Sequence, residues 1–493
     1  MQQKVEILTG IAAGRSFFDF GKAAFAQLEV ELTVAGEHYV EVVIGESCSQ
    51  GTILHEHGWR TFIIDRFTAR VGTHTYKFNI PTFQPAYGCD QNYVKTPDVC
   101  GGEIAPFRYV EVNHYYGEVK VTRTVWYDDF DDDASEFESS SDELNKVWDF
   151  CKYSIKATNV FGYYIDGDRE RQPYEGDAYI NQLGHFCCDS NFTVARNTIS
   201  FFEKHPTWPT EWQLLTPVLA RDYYLYSGDR ASVDEWLGWL DKTLLDEFAD
   251  DDGLIAPAGK VRDIIDWPVG DRDGYVFGKY NFVPNAYRVG ALQAMYELSG
   301  KRDYAVRAEN LRKTLRTKFW KNGLPVDSLN AEHTAMHSAI FALRFGIAEE
   351  SEKPALLDFI RRQGMKCSVY IAQYLLEVCA AGGMDDYVLK LLTGSGERSW
   401  LNMIAQGSTI TMEGWSELAK PHQDWSHAWG AAPANIIPRW VAGLRPTAPG
   451  FREYVIDPHP GDLEYFRYRH KTASGVIEVE WKDKKITSRR MEA

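Results

Sequence analysis

The sequence predicts a multidomain protein built around an all-α domain, an (α/α)6 barrel, with an N-terminal antiparallel β-sandwich and a short C-terminal β segment. Three observations carry this prediction. Apolar and polar residues alternate in several segments before residue 128, which is typical of strands with one buried face. Residues 139–444 repeat their apolar positions with a helical period instead. The alternating pattern then returns within residues 445–493.

The N-terminal region contains four segments with the period of a strand, at residues 28–34, 39–44, 107–112 and 119–125. A long loop separates the second segment from the third. Strands with one apolar face can bury it by packing two sheets together, so this region is expected to form a sandwich. The acidic run at residues 128–138 reads as a solvated linker, and the first domain is therefore placed at residues 1–138.

The helical domain is expected at residues 139–444 and begins where Ser140 and Glu143 have the spacing of a capping box. Helices are expected at about residues 141–159, 178–202, 210–227, 231–248, 283–299, 303–319, 334–346, 352–363, 369–381, 384–392 and 426–442. About 300 residues divided among roughly twelve helices leave about 25 residues for each helix and its loop, which favours a ring of helix pairs over a four-helix bundle.

The C-terminal segment, residues 445–493, is too short for an independent domain. Residues 454–456 and 476–481 read as strands. The segment is expected either to complete the N-terminal sandwich or to cap the barrel.

Composition excludes several classes of function. The chain has 493 residues, with 53 Lys and Arg against 70 Asp and Glu, and a net charge of −17. This excess of acid argues against a nucleic-acid or anionic-membrane partner, because both require basic surfaces. The first residues lack an apolar signal core, so a cytoplasmic location is expected. The eight cysteines include no C-x-x-C pair, and Cys89 and Cys100 share a loop in which they could form a disulfide.

The segment from Tyr163 to Asp177 is the most unusual in the chain. Its last twelve residues read DGDRERQPYEGD and contain five carboxylates and two arginines. Gly167, Pro173 and Gly176 predict a loop, and a loop between two barrel helices lies at one mouth of the barrel. Carboxylates beside arginines in such a place have shifted pKa values, as catalytic groups require. The alternative is a surface loop with scattered salt bridges.

A second carboxylate stands far downstream, in the segment TMEGW around Glu413. Two carboxyl groups on separate elements that face one cleft are what a glycosidase needs. Tryptophans near both segments, among them Trp212 and Trp267, could form platforms for sugar rings, although each could equally be a core residue. His333 and His337 have a metal-like spacing, but no Glu follows His333, so no metal site is expected.

These motifs resemble those of glycoside hydrolase family 78, the α-L-rhamnosidases. The segment from Asp166 to Asp177 is similar to the family's acidic motif, Asp-Cys/Gly-Pro-x-Arg-x-Glu-Arg-x-x-Trp-x-Gly-Asp. The segment around Glu413 resembles its downstream Thr-x-Trp-Glu-x-Trp stretch, and residues 426–451 resemble its tail, in the same order. The first motif is two residues shorter here, Tyr174 replaces a Trp, and Met412 replaces another.

The resemblance implies a small member of the family that hydrolyses terminal α-L-rhamnosides with inversion and needs no metal or organic cofactor. It implies that Glu170 is the general acid and Glu413 the general base. Residues implied to bind the substrate are Asp166, Arg169, Tyr174, Asp177, Trp212, Asp266, Trp267 and His427. Exposed β surface, left by outer sandwich domains that larger members carry, would favour a homodimer.

Inversion requires the two carboxyl groups to stand roughly 6.5–9.5 Å apart, so that a water molecule fits between the base and the sugar. Asp168, Glu175 and Asp177 are expected to raise the pKa of Glu170 against the effect of the two arginines. Two alternatives stay open. One is a glycosidase of other specificity, or a uronyl hydrolase, on the same barrel. The other is a glycan-binding protein without activity, in which the carboxyls would stand more than about 12 Å apart.

Overall fold

A computed structural model describes residues 1–55, 61–85 and 92–491. Cys89, and with it the expected pairing with Cys100, lies outside these ranges. None of the helices within them combines the length and the apolar character that a membrane span requires.

The N-terminal region forms one antiparallel sheet with strand order β5-β2-β7-β1-β6 and a small hairpin, β3-β4. The strands are β1 (Gln2–Val34), β2 (His38–Gly45), β3 (Cys48–Ser49), β4 (Thr52–Ile53), β5 (Phe62–Ala69), β6 (Gly72–Lys77) and β7 (Ala105–Tyr127). Strand β1 is so long that two of its parts pair with opposite edges of β7. Thr122 of β7 lies between Ile7 on one side and Glu29 on the other. Alternate side chains such as Leu28 and Val30 are buried in one shared core.

The acidic run was wrongly predicted to be a solvated linker. Phe130 in this run is buried, and strand β8 (Ser135–Ser139) pairs with a strand of the C-terminal segment. In β8 the residues Ser135, Phe137 and Ser139 are buried while the glutamates between them face the solvent. The alternation of buried and exposed residues in β8 was overlooked because the exposed positions are acidic and the segment therefore resembles a charged linker.

The N-cap of helix α1 (Asp142–Thr158) lies one residue later than expected. Ser141, and not Ser140, caps it, since its side chain accepts a hydrogen bond from the Leu144 amide at 3.2 Å. The Ser140 hydroxyl is instead used at the sheet edge, where it accepts from the Glu464 amide at 3.0 Å.

The helical region continues with twelve further helices. They are α2 (Glu175–Cys188), α3 (Thr193–Phe202), α4 (Thr210–Ser227), α5 (Arg230–Trp236), α6 (Phe282–Ser299), α7 (Arg302–Phe319), α8 (Met336–Arg344), α9 (Lys353–Gln363), α10 (Val369–Ala381), α11 (Asp385–Leu392), α12 (Trp400–Ala405) and α13 (Pro433–Ile436). A short hairpin of β9 (Trp320–Lys321) and β10 (Leu324–Pro325) follows α7.

The helices α2, α4, α6, α8, α10 and α13 contact one another in that order, and α13 contacts α2 again. Helices α2 and α10 are buried on almost all sides, as expected for elements with helices or strands around them. Helix α7 instead presents charged side chains to the solvent and packs on α6.

Three helix predictions differ from the structure. The segment expected at 178–202 is two helices, because Asp189 accepts a hydrogen bond from the Ser190 amide and Asn191 accepts one from the Thr193 amide, which interrupts the helix. The segment expected at 231–248 ends at Trp236 and continues as short 3-10 turns. The segment expected at 426–442 is reduced to α13 and a π turn, and α12 was not predicted.

The C-terminal strands are β11 (Leu444–Pro446), β12 (Tyr454–Ile456), β13 (Tyr465–Thr472), β14 (Gly475–Lys482) and β15 (Lys485–Met491). The last three form a sheet with β8, in the order β15-β14-β13-β8. This sheet contacts the helical region: the Tyr468 hydroxyl donates to the Cys187 carbonyl of α2 at 2.9 Å, and its ring meets Trp148 of α1 edge-on.

Candidate active site

A cavity of about 490 Å³ lies where α2 and α4 begin. Its lining consists of Asp166, Arg169, Glu170, Tyr174, Asp177, Trp208, Trp212, Arg262, Ile264, Trp267, Glu413, His427 and Trp429. The structure therefore brings together every predicted site residue except Asp266.

The loop between α1 and α2 is held in place by Arg171, whose side chain is fully buried. Its guanidinium pairs with Asp168 at 2.7 Å in the same loop and with Glu103 at 2.9 Å in the N-terminal region. It also stacks over the ring of Phe83, 4.2 Å from the ring centre. The N-terminal sheet region thus fixes the loop that carries Glu170.

Glycine at position 167 lets this loop approach Asp424. A Cβ atom at Gly167 would stand 2.6 Å from the Asp424 carboxylate oxygen. The same carboxylate oxygen accepts a hydrogen bond from the Arg169 amide at 3.2 Å. Two distant segments of the chain are joined in this way at the floor of the cavity.

Glu413 is buried and has four donors against its two oxygens. Arg169 binds both oxygens at 2.9 Å, the Asp424 amide donates at 3.2 Å, and Lys420 Nζ lies 3.3 Å away. Burial alone would raise the pKa of Glu413, but Arg169 and Lys420 lower it to about 2. Glu413 is therefore ionised at neutral pH.

Glu170 shares the guanidinium of Arg169 with Glu413. Arg169 Nη2 lies 3.0 Å from Glu170 Oε1 and 2.9 Å from Glu413 Oε1. The sum of the two distances, 5.9 Å, is the largest separation these two oxygens can have. In this structure the pair is therefore closer than the roughly 6.5–9.5 Å expected between the carboxyl groups of an inverting enzyme. The other oxygen of Glu170 accepts a hydrogen bond from the Tyr174 hydroxyl at 2.8 Å.

The three carboxylates that were expected to surround Glu170 all have other partners. Asp168 pairs with Arg171, Glu175 accepts from the Thr207 amide at 3.1 Å, and Asp177 lies 2.7 Å from His427 Nε2. Burial raises the pKa of Glu175 to about 7, although its hydrogen bonds oppose this.

Asp424 and Asp166 add two more buried carboxyl groups to the site. Burial raises the pKa of Asp424 to about 7 against the opposing charge of Arg169. Burial also raises the pKa of Asp166 well above its usual range, and the nearby Glu170 and Asp177 raise it further. Protons on these groups reduce the repulsion in the cavity.

Aromatic rings form the apolar wall of the cavity. Trp212 meets Tyr174 edge-on, with ring centres 5.4 Å apart, and Trp429 at 6.4 Å. A Cβ atom at Gly176 would stand 2.6 Å from the Trp212 ring, so only glycine allows this packing without a shift. Trp429 also donates through Nε1 to the Glu413 carbonyl at 2.9 Å, which ties the wall to the carboxylate segment.

Asp266 does not line the cavity, in contrast to the expectation. It is fully buried and accepts hydrogen bonds from the amides of Trp267 and Ser368, while His337 Nε2 lies 2.8 Å from it. The side chain therefore holds the loop that presents Trp267 to the cavity. His333 contacts Asp327 at 2.6 Å, so the two histidines of the metal-like spacing each face an aspartate.

Sequence reasoning missed several contributors to the site, among them Lys420, Asp424, Arg262 and Trp429. Asp424 and Trp429 flank the predicted His427, so the spacing around that residue was the available signal. Lys420 carried no signal, since only the fold brings it to Glu413.

Glu413, Asp424 and His427 offer possible metal-ligating atoms within 4.8 Å of one another. Arg169 and Lys420 lie against both oxygens of Glu413, and their positive charges would repel a cation at that point. We propose no metal here.

Two family models match the chain. One, described as the bacterial α-L-rhamnosidase six-hairpin glycosidase domain, matches residues 132–441. The other, described as the bacterial α-L-rhamnosidase C-terminal domain, matches residues 443–491. No curated protein matches the chain.

Solved structures with a similar fold include a rhamnosidase of Bacillus sp. GL1, which is 17% identical in sequence and has a TM-score of 0.78. The match covers 96% of this chain and 52% of the Bacillus chain. An α-L-rhamnosidase from Dictyoglumus thermophilum is 18% identical, with a TM-score of 0.76 and coverage of 97% and 56%. One from Streptomyces avermitilis, complexed with L-rhamnose, is 17% identical, with a TM-score of 0.75 and coverage of 97% and 48%. The chain thus spans about half the length of these proteins.

The lowered pKa of Glu413 predicts how the stability of the protein depends on pH. A carboxyl group whose folded-state pKa lies below its unfolded value stabilises the fold at neutral pH, and this contribution is lost as the pH falls from about 4.5 toward about 2. Between pH 6 and pH 3, wild type should therefore lose about 2 kcal/mol of unfolding free energy relative to Glu413→Gln.

Denaturant unfolding at several pH values measures this difference. Glu235→Gln, which changes an exposed surface carboxylate, serves as the control and should follow wild type. Parallel pH profiles for wild type and Glu413→Gln would contradict the prediction.

Proposed function

This chain belongs to the bacterial α-L-rhamnosidase family, and on that premise we propose that it is a glycoside hydrolase that releases terminal, non-reducing α-L-rhamnose from rhamnosides. The observation that carries the proposal is the cavity in which Glu170 and Glu413 meet across one guanidinium. The aromatic wall of Trp212 and Tyr174 suits a deoxy sugar, because the methyl group at C6 of rhamnose is apolar.

We assign general acid catalysis to Glu170 and general base catalysis to Glu413. The pKa of Glu413 supports this assignment, since a base must be ionised before it can accept a proton from water. Glu170 is assigned the role of the acid because it pairs with Arg169 alone, whereas Glu413 pairs with both Arg169 and Lys420. Asp166, Arg169, Asp177, His427 and Trp267 would hold the sugar around these groups.

The base needs a free lone pair, and in this structure none is left. A carboxylate offers about four acceptor sites, and four donors already surround Glu413. We infer that substrate displaces Arg169 from at least one oxygen of Glu413. A water molecule can then bind there, and the pKa of Glu413 rises from about 2 toward a value better suited to a base.

We further propose that the helical domain, residues 139–444, is an (α/α)6 barrel and that the N-terminal region is a β-sandwich. The closed series of contacts among α2, α4, α6, α8, α10 and α13 supports the barrel. The single core shared by both halves of the N-terminal sheet supports the sandwich. The domain boundaries at 138 and 444, the homodimer and the cytoplasmic location stay predictions.

The alternatives have less support. A glycan-binding protein was expected to hold the carboxyls more than about 12 Å apart, whereas the nearest oxygens of Glu170 and Glu413 are at most 5.9 Å apart. A uronyl hydrolase has less support because both family models that match the chain describe α-L-rhamnosidase domains.

Hydrolysis of 4-nitrophenyl α-L-rhamnopyranoside by wild type, Glu170→Gln and Glu413→Gln tests the proposed activity and both roles. Each variant should lose about 10²-fold or more in kcat on a rhamnosyl disaccharide, because a proton transfer is removed. On the nitrophenyl substrate Glu170→Gln should lose much less, since nitrophenolate leaves without a proton from the enzyme.

Glu235→Gln is again the control and should keep wild-type rates. Absence of wild-type turnover of both substrates would overturn the proposed activity. Equal losses of Glu170→Gln on the two substrates would overturn its role as the acid.

Inversion predicts that β-L-rhamnose forms first. The water attacks from the face opposite the leaving group, so the anomeric configuration changes once. Proton NMR during the first minutes of hydrolysis, before mutarotation, distinguishes the anomers. Initial formation of α-L-rhamnose would show retention and contradict the role of Glu413 as a base.

A further inference from the structure

Two arginines line the cavity, and they differ in their partners. Arg169 is buried between Glu170 and Glu413. Arg262 is exposed, and no carboxylate within the described parts of the chain lies within 4 Å of its guanidinium. In a chain with a net charge of −17, whose cavity holds several carboxylates, a cation without an acidic partner is unusual.

Arg262 is held in a defined position by Trp208. Its guanidinium stacks over the indole ring, 4.3 Å from the ring centre. The backbones of the two residues are also joined, because the Arg262 amide donates to the Trp208 carbonyl at 3.2 Å. The Thr210 amide at the start of α4 donates to the Arg262 carbonyl at 3.0 Å.

The segment that follows Arg262 is anchored as well. The buried Glu211 side chain accepts hydrogen bonds from the amides of Ile264 at 3.1 Å and Ile265 at 2.8 Å. Asp266 then fixes the start of the loop that carries Trp267. The guanidinium of Arg262 is therefore presented by a rigid edge of the cavity.

The position of this edge relative to the general acid indicates what it contacts. Glu170 must lie beside the glycosidic oxygen, and the leaving group extends from that oxygen. Tyr174 binds Glu170 and Trp212 packs on Tyr174. Trp208 lies just before the start of α4, which carries Trp212, and both tryptophans line the cavity. Trp208 and Arg262 thus continue the wall that starts at the acid, toward the exposed part of the cavity.

We propose that Arg262, stacked on Trp208, forms an outer subsite that selects rhamnosides whose leaving group carries a carboxylate, such as a uronic acid. The planar fork of a guanidinium binds a carboxylate through two parallel hydrogen bonds. Arg169 serves the catalytic carboxylates and the rhamnose ring, and Lys420 pairs with Glu413, so Arg262 is the lining cation at the exposed end, where the leaving group lies. The inference rests on the proposed function, since it names the substrate class for the same site.

Competition between acidic and neutral forms of one substrate tests this inference. The panel contains rhamnosyl-glucuronic acid disaccharides linked through O2, O3 or O4, with the methyl ester of each, so that only the charge differs within a pair. Wild type should prefer the acid of at least one pair by about tenfold in kcat/KM. Raising the salt from about 0.05 M to about 0.5 M should reduce this preference, because Arg262 is exposed.

Three variants separate the charge of Arg262 from other effects. Arg262→Gln should bring the ratio of kcat/KM for acid over ester close to one, and Arg262→Lys should give an intermediate ratio. Lys260→Gln removes a positive charge from an exposed position in the same loop and should leave the ratio unchanged. Thermal unfolding of all three checks the fold.

A wild-type ratio near one for every linkage would overturn the inference, as would an unchanged ratio in Arg262→Gln. Turnover of 4-nitrophenyl α-L-rhamnopyranoside in the same preparations shows that the proposed function itself stands in those cases. No turnover of any rhamnoside would overturn the proposed function and, with it, the outer subsite.

Discussion

The candidate site depends on the ion pair between Arg169 and Glu413, which joins positions 244 residues apart in the chain. Both side chains are largely buried, and Glu170 shares the same guanidinium. Removing one partner of a buried pair leaves the other charge uncompensated and costs about 3–5 kcal/mol. One interaction therefore sets the distance between the two catalytic candidates, keeps Glu413 ionised and occupies the lone pair that water needs.

The rest of the molecule holds the two sides of this pair. On one side, Arg171 ties the loop of Arg169 to Glu103 in the N-terminal region. On the other, Trp429 and Lys420 hold the segment of Glu413 from the wall and the floor. Protonation of Asp166 and Asp424, whose pKa values burial raises, lowers the negative charge that the cations must balance. The site is thus assembled by contacts from all regions that border it.

The sequence predicted those parts of the structure that depend on residues close together in the chain. Helices α4 and α10 lie within the predicted bounds because their apolar periods are long and uninterrupted. The two carboxylate motifs were visible because carboxylates and arginines are concentrated between apolar segments. Strand β8 was missed because its acidic residues share one face, and Asp266 was misplaced because a buried aspartate and a cavity aspartate look alike in a sequence. Long-range partners such as Lys420 and Arg262 follow only from the fold.

The central claim is that substrate must open the pair between Arg169 and Glu413 before water can be activated. A crystal structure of Glu170→Gln with an uncleaved rhamnoside tests it most directly, because this variant keeps Glu413 and stops the proton transfer to the leaving group. The account predicts that Arg169 contacts the sugar and at most one oxygen of Glu413, with a water molecule between Glu413 and the anomeric carbon. A complex in which Arg169 still binds both oxygens of Glu413, with no water beside them, would contradict it.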